Sequence, residues 1–441
     1  VTSRTPGSAP APRPSSALLT DHYELTMVEA ALRSGAASRR CVFEVFARRL
    51  PDGRRYGVVA GTGRLLEAIE AFRFGDAELE WLRDVVDADT LAFLADFRFD
   101  GDVWGYAEGE CYFPGSPVLV VEADFAHAVV LETVVLSILN HDSAVASAAS
   151  RMTAAAGERP CIEMGSRRTH EEAAVAAARA AYVAGFASTS NLEAGRRYGV
   201  PTGGTAAHAF TLLHDDERAA FAAQIASLGK GTTLLVDTYD VTRAVETAVE
   251  LAGPGLGAVR IDSGDLLAQA REVRAQLDRL GATDTQVVVT SDLDEYAIAS
   301  LAAAPVDRYG VGTSLVTGSG APTAGMVYKL VAREDSSGEL VGVAKKSKDK
   351  ASVAGRKYAL RRRNPRGVAE AEVIGIGDRP ADDGDDRELL VPLMRRGEVV
   401  DGPHSGLDAA RARHRESRAE LPPAALRLQR GEPAIPTVYE D

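Results

Sequence analysis

Cysteine is scarce in this chain. Its three residues, Cys41, Cys111 and Cys161, are spread over 441 positions, which indicates neither a disulfide framework nor a CxxC metal site. A reducing, cytoplasmic setting is the expectation. Aromatic residues make up only 6% of the chain, and 50 Lys+Arg stand against 63 Asp+Glu, a formal charge of -13. That shortage of positive charge argues against nonspecific binding to nucleic acid or to an anionic membrane, and leaves local basic clusters as candidate anion sites. Long apolar runs are missing as well, none approaching the ~20 residues that cross a bilayer. The first residues, VTSRTPGSAPAPRPSS, lack the apolar middle of a signal peptide and read as a disordered tail over 1–16.

What remains is a globular composition, 45% hydrophobic and 26% charged, long enough for two or three domains. From Ala17 to about Phe113, strand candidates such as CVFEVFARRL mix with helical stretches such as GRLLEAIEAF, an α+β pattern. From Pro117 the rhythm changes: PVLVVE, a helical segment over 130–155, then apolar strands alternating with helices. The strand candidates are GFAST (185–189), TTLLVD (232–237), GAVRID (257–262), QVVVTS (286–291) and DRYGVG (307–312). Nearly all-apolar strands separated by helices imply a parallel sheet covered on both faces. Polar residues cluster just after each strand, among them Ser190, Asp237, Asp262, Asp292 and Thr313. A barrel gathers such strand ends at one mouth, whereas an open sheet offers a single crevice, so the pattern favours an α/β fold of the β/α-barrel type. From Ala324 the strand-like pieces AGMVYKLVAR, GELVGVAKKS and RKYALRRR return and are expected to pair with the N-terminal region. The expected division is 17–116 with 324–400 as an α+β domain, 117–323 as the barrel, and 401–441 as a C-terminal helix and tail. The acidic loop GDRPADDGDDRE and the final helix GLDAARARHRESRAEL read as solvated.

Five stretches carry residue types suited to chemistry. GVPTGGTAAHAF (199–210) places His208 behind a Gly-Gly-Thr turn, where backbone NH groups can meet an anion and a neutral imidazole can accept a phosphoryl group. A lone histidine in such a place is also commonly structural. RIDSGDL (260–266) sets Arg260 and Asp262 two apart on one strand face, aimed at a pocket, with Gly264 in the turn. Ser263 and Asp265 fit a helix cap and first turn equally well. EMGSRRTH (163–170) ends a strand with Arg167 and Arg168, whose guanidinium forks suit carboxylate or phosphate, the alternative being a surface ion pair with Glu171 or Glu172. YGVGTSLVTGSG (309–320) puts four glycines and four hydroxyl residues after a late strand, where barrels bind phosphate. TDHYELTM (20–27) reads as a helix start capped by Thr20 or Asp21, with Glu24 in its first turn and Tyr23 as a candidate aromatic plate.

In this order, TDHYELTM, EMGSRR, STSNLEAGRRYGVPTGGTAAHAF, LVDTYDV, RIDSGDL and YGVGTSLVTGSG resemble nicotinate phosphoribosyltransferase over about 17–357. The resemblance implies a type II phosphoribosyltransferase fold: an irregular α/β barrel with an open-faced sandwich domain from N- and C-terminal segments, assembled as a homodimer with shared active sites. It implies transfer of phosphoribosyl from phosphoribosyl pyrophosphate to nicotinate, coupled to ATP hydrolysis, with ATP and Mg2+ as cofactors. By position, His208 matches the phosphorylated histidine, Thr205 and Arg260 match nicotinate contacts, and Arg167 a further ligand-facing arginine. Tyr23 matches the aromatic that stacks on the pyridine ring from the neighbouring subunit. Thr313 lies in the loop holding the phosphoribosyl moiety, so that Gly264, Gly312 and Thr313 are the phosphate-binding candidates. Met164 stands where relatives often have Phe, and Ser190 where the nicotinamide-using relative carries an aspartate that would repel a carboxylate. The zinc-binding cysteine cluster of some archaeal members is missing. An oxocarbenium-like transfer wants nearby carboxylates, which makes Asp237, Asp262 and Asp292 candidates for that role or for water-mediated Mg2+ contacts; no direct protein metal ligand is expected. The rivals are a nicotinamide phosphoribosyltransferase, a sugar-phosphate barrel lyase or aldolase, and an inactive phosphoribosyl-binding protein. The aldolase would want a Schiff-base lysine, absent from the strand ends between 188 and 314.

Overall fold

The computed structural model of the protein describes residues 14–345, 352–402 and 405–440. Of the expected tail, residues 1–13 lie outside the described residues, as does part of GELVGVAKKS. Ser16 is not tail: it is buried, and its hydroxyl donates to the Ala68 carbonyl at 2.5 Å.

Six parallel strands make the sheet that matters for function, in the order Ser188–Thr189, Cys161–Glu163, Arg308–Val311, Gln286–Val289, Ala258–Ile261, Thr233–Leu235. Read cyclically, this is simply chain order, with the last strand paired to the first. A doubly wound sheet would reverse direction at a switch point, so the topology is that of a barrel left open at one seam, between Thr189 and Thr233. The open seam is lined by the 201–203 segment: Thr189 forms a parallel bridge with Thr202, and the Gly203 NH donates to the Thr189 carbonyl at 3.0 Å.

A seven-stranded antiparallel sheet runs Leu340–Gly342, Met326–Glu334, Arg40–Ala47, Leu119–Asp124, Asp102–Tyr106, Leu390–Arg395, Glu398–Val399. AGMVYKLVAR thus pairs with the N-terminal strand as expected. PVLVVE does not begin the barrel. Its strand Leu119–Asp124 sits inside the antiparallel sheet between Arg40–Ala47 and Asp102–Tyr106, because an apolar run buried on both faces looks the same in either sheet. Lys357–Arg363 and Ala369–Ile376 form a third sheet, which Thr437–Glu440 joins in parallel, so the chain after 401 contributes a strand as well as a helix.

The long helix Glu132–Ala156 ties the two cores together. Val134, Val135, Ile138 and Leu139 pack in the antiparallel-sheet core, while Val145, Ala148, Ala149 and Met152 pack in the barrel core. With the turn before it, Phe125–Ala156 has the length and apolarity of a membrane span, but its apolar faces are spent on these two cores. Its first turn is held by Glu24, whose buried carboxylate accepts from the Thr133 NH at 3.0 Å and from the Thr133 and Thr20 hydroxyls. Glu24 therefore serves another helix as well as its own, and Asp21, at the N-cap of His22–Ser34, makes no side-chain capping bond.

The C-terminal helix Leu407–Glu420 is not simply solvated. Ala410, His414 and Ser417 are buried, and Glu420 accepts from Arg387 at 2.7 Å, which itself clamps the buried Glu110 at 2.8 and 3.0 Å. In the acidic loop, Asp386 accepts from Arg362 at 3.3 Å, so one of its carboxylates is structural. The His414 imidazole meets the Ser150 hydroxyl at 2.8 Å, and burial, with Arg418 and Arg411 nearby, pushes its pKa down to about 3. An unfolded chain takes up this proton near pH 6.5 and the folded one does not, so this site is neutral in effect above pH 6.5 and costs stability as pH falls toward 3. Between pH 6.5 and pH 4 the protein is expected to lose about 3 kcal/mol more than its His414→Gln variant. Urea denaturation of both across that range measures it; parallel profiles would contradict the assignment.

Candidate active site

Four of the strand-to-helix turns end in a carboxylate or amide that caps the next helix. Asn191, Asp240, Asp265 and Asp294 accept from the backbone NH of Ala194, Arg243, Ala268 and Ala297 at 2.9, 2.8, 3.1 and 2.7 Å. A polar residue at such a cap satisfies orphan helix donors and needs no ligand to explain it. The cap of the RIDSGDL turn is Asp265, not Ser263. This sorting leaves Ser190, Asp237, Thr238, Asp262, Ser263 and Asp292 at the mouth without a capping role.

Three of them, Asp237, Thr238 and Asp262, converge on His208. The helix His208–Leu213 begins directly after the seam segment, and its first residue turns the imidazole over the strand ends Thr233–Leu235 and Ala258–Ile261. Nδ1 lies 3.1 Å from the Thr238 hydroxyl, and Nε2 lies 3.8 Å from Asp237 Oδ1 and 3.9 Å from Asp262 Oδ2. Asp237 is 3% exposed; its Oδ2 accepts from the Asp262 NH at 2.9 Å and the Ser263 hydroxyl at 2.7 Å, while its buried Oδ1 has no hydrogen-bond partner. Asp262 is fixed from its other side by the Thr290 hydroxyl. Nε2 thus faces two carboxylates, and Nδ1 faces the Thr238 hydroxyl. Gly264 holds the turn beyond them at φ +82°, a left-handed conformation that favours glycine.

Arg260 lies on the same face of its strand as Asp262. Its Nη1 donates to the Thr205 hydroxyl at 3.2 Å, and its buried Nε has no partner. Burial holds the guanidinium pKa below its usual value, against the pull of Asp262 and Asp237, and Arg167 is near enough to push it the same way. Two cations therefore face one region beside the histidine. The alternative ion pairs for the EMGSRR arginines do not form: Glu172 pairs with Arg197 at 2.8 Å and Glu171 with His170 at 3.7 Å. Arg167 and Arg168 are both exposed.

The remaining candidates divide. Met164 bonds through its NH to the Val311 carbonyl at 2.8 Å, and its sulfur would lie 2.8 Å from a Cβ at position 310, so Gly310 makes room for it. Gly165 and Gly312 bring the EMGSRR and YGVGTS turns together: a Cβ at 165 would stand 2.3 Å from Val316 Cγ1 and 3.0 Å from the Gly312 carbonyl. Thr313 and Ser190 are exposed beside them, Ser190 anchored by its NH on the Glu163 carbonyl at 2.9 Å. Asp292 is exposed next to Ser291, whose φ of 121° is a strained value for a residue with a side chain. Tyr23 is not at this mouth. It is half-exposed on helix His22–Ser34, and burial together with Glu132 and Glu24 pushes its pKa up to about 12.

Sequence reasoning passed over Glu163, Glu217 and Thr290. Glu163 is buried beneath the mouth, accepts from Thr189 and the Gly165 NH, and is pushed upward in pKa by desolvation. Glu217, the first residue of helix Glu217–Leu228, is pushed up to about 7 by burial and by Asp240 and Asp237. It sits in HDDERAAF, where an acidic residue at a helix start already has a local explanation.

Fold and site together define a β/α-barrel enzyme that works at the C-terminal ends of its strands. The family model described as the nicotinate phosphoribosyltransferase N-terminal domain matches residues 18–140. The chain is 60% identical to nicotinate phosphoribosyltransferase pncB1 of Mycobacterium tuberculosis over 95% of its own length and 94% of that protein's. It is 38% identical to the nicotinate phosphoribosyltransferase of Bacillus subtilis, covering 85% and 79% of the two chains. The crystal structure of the human nicotinic acid phosphoribosyltransferase superposes with a TM-score of 0.82 at 26% identity, covering 96% of this chain and 98% of that one. The chain belongs to the nicotinate phosphoribosyltransferase family, enzymes of NAD biosynthesis.

Proposed function

We propose that this enzyme transfers phosphoribosyl from phosphoribosyl pyrophosphate to nicotinate and couples the transfer to ATP hydrolysis through a phosphohistidine at His208. The observation that carries the proposal is the setting of that imidazole, with Nε2 toward Asp237 and Asp262 and Nδ1 against the Thr238 hydroxyl. Nδ1 attacks the γ-phosphorus of ATP, the bond to the bridging oxygen breaks, and ADP departs. The carboxylates stabilise the positive charge on the ring, and Thr238 gives up its hydrogen bond to the attacking nitrogen. Water later takes the phosphoryl group as inorganic phosphate.

In the transfer step the pyridine nitrogen lone pair forms a bond to C1 of the ribose, while the C1–oxygen bond breaks and pyrophosphate leaves with the electron pair. Positive charge develops on the sugar between the two events, and Asp262 and Asp237 stand where a carboxylate field would stabilise it. Arg260 and Thr205 receive the nicotinate carboxylate, with Arg167 adding charge and Met164 packing softly against the ring. Gly264, Gly312 and Thr313 offer backbone NH groups and a hydroxyl to phosphate oxygens. The unpartnered buried Oδ1 of Asp237 is a hard oxygen donor that suits Mg2+. Asp237 and Asp262 would hold the ion through water, where it would neutralise charge on the leaving pyrophosphate. The reading places the enzyme in the cytoplasm as a homodimer. Leu212 and Leu213, exposed on the His208 helix, would lie under a second copy, and Tyr23 would serve the site of the other subunit.

Ser190 sets the choice of acid over amide, since a carboxylate at this strand end would repel nicotinate and accept from an amide NH2. Turnover of nicotinate and nicotinamide measured side by side is expected to favour the acid at least ~100-fold, and Ser190→Asp to reduce that preference by about tenfold or more. Equal turnover of the two substrates by the unaltered enzyme would contradict the proposal.

A further inference from the structure

Glu295 plays no part in the chemistry above, yet it is 3% exposed and takes bonds from two arginines and a hydroxyl. Its Oε1 receives Arg54 Nη1 at 3.3 Å and Arg151 Nε at 3.0 Å, and its Oε2 receives the Ser319 hydroxyl at 2.5 Å. Both arginines are buried too, 4% and 6% exposed, so two cations share one carboxylate away from water. Each also donates to backbone, and Arg151 Nη2 reaches the Tyr296 hydroxyl at 3.2 Å as well. Arg54 Nη2 donates to the Gly318 carbonyl at 2.7 Å, and Arg151 Nη1 to the Gly53 carbonyl at 2.8 Å.

These side chains come from four places. Arg54 lies in the loop after strand Arg40–Ala47, Arg151 on the helix that joins the two cores, Glu295 at the start of the helix after strand Gln286–Val289, and Ser319 in the loop after the neighbouring strand Arg308–Val311. Gly318 and Ser319 are both left-handed, with φ +64° and +52°. A serine keeps that conformation only where its surroundings over-determine it. The Ser319 NH also donates to the Ser314 carbonyl at 2.6 Å, which links the anchored end of the loop to the residue after Thr313.

We propose that Glu295, bridged to Arg54, Arg151 and Ser319, is a positioning residue that holds the Gly312–Gly320 loop in its phosphate-binding shape and so sets the affinity for the phosphoribosyl donor. The inference rests on the reading of that loop as the donor's phosphate site. Arg54 turns the Gly318 carbonyl oxygen, which would repel a phosphate, onto a guanidinium. The two buried cations leave a net positive charge under the loop once Glu295 is counted. An interaction that preorganises a ground-state contact alters binding and leaves the rate of the bound complex alone.

The test is steady-state kinetics with phosphoribosyl pyrophosphate and nicotinate varied separately, on Ser319→Ala, Arg54→Met and Thr313→Ala, with melting temperatures for each. Ser319→Ala removes one bond to Glu295 and spares the ion pairs, so it folds even if Arg54→Met does not. Ser319→Ala is expected to raise KM for phosphoribosyl pyrophosphate about threefold to tenfold, with kcat and the nicotinate KM within about twofold. If Thr313→Ala raises the donor KM while Ser319→Ala and Arg54→Met leave it unchanged, the positioning role is wrong and the loop reading stands. If Thr313→Ala also leaves it unchanged, the loop reading itself fails. Parallel changes in kcat and both KM values would mark a merely structural role and overturn the proposal.

Discussion

Replacing His208 by alanine is expected to abolish ATP hydrolysis and the stimulation of transfer by ATP, while a slow ATP-independent synthesis of nicotinate mononucleotide persists. The imidazole is the only nitrogen base that the described residues place against Asp237 and Asp262 at the mouth, so no neighbour can take its phosphoryl group. On the proposed reading the transfer chemistry rests on other residues: Arg260 and Thr205 keep their 3.2 Å bond, and Asp262 keeps its Thr290 partner. Because the His208 side chain is 39% exposed, its loss leaves little cavity and the fold intact. ADP release should fall at least ~100-fold, with mononucleotide formation insensitive to ATP. A coupled assay with and without ATP measures both, and full ATP stimulation in the variant would refute the coupling.

Arg260→Ala should raise KM for nicotinate about tenfold to a hundredfold, the loss expected for one or two charge-assisted hydrogen bonds. Its Nη1 is committed to Thr205, but the buried Nε has no partner, and a buried donor left unpaired marks the place of an acceptor. Burial depresses its pKa without discharging a guanidinium, so the site stays cationic across the working pH range. Lysine should not restore the loss. A single ammonium cannot hold Thr205 and span a carboxylate at once. The change should be confined to nicotinate, since the proposal puts the donor's phosphates by the glycine turns; an unchanged nicotinate KM would remove Arg260 from substrate recognition.

The barrel was legible because its strands are short, apolar and closed by polar turns, and the helices Glu217–Leu228, Val241–Ala252 and Leu266–Arg279 fall where the periodicity puts them. Leu119–Asp124 was misplaced because a strand buried on both faces carries no mark of the sheet it joins. The C-terminal helix deceived for the opposite reason: LDAARARHRESRAE is rich in charge, yet Glu420 pairs with Arg387, Arg411 and Arg418 donate to backbone carbonyls of neighbouring elements, and His414 is buried neutral. Within the site, the pairing of Arg260 with Asp262 followed from strand alternation. Which polar turn residue caps and which faces a ligand did not, because Ser263 and Asp265 are both good caps and only the backbone direction chooses between them. Thr238 meets His208, and Glu217 feels the charge of Asp237, a closeness set by tertiary structure alone.

The central claim is that His208 is phosphorylated. Incubation with ATP labelled in its γ-phosphate, rapid quenching in base and peptide mapping should find acid-labile label on the His208 peptide, lost on adding phosphoribosyl pyrophosphate and nicotinate and absent from His208→Ala. No acid-labile label under any combination of substrates would contradict it.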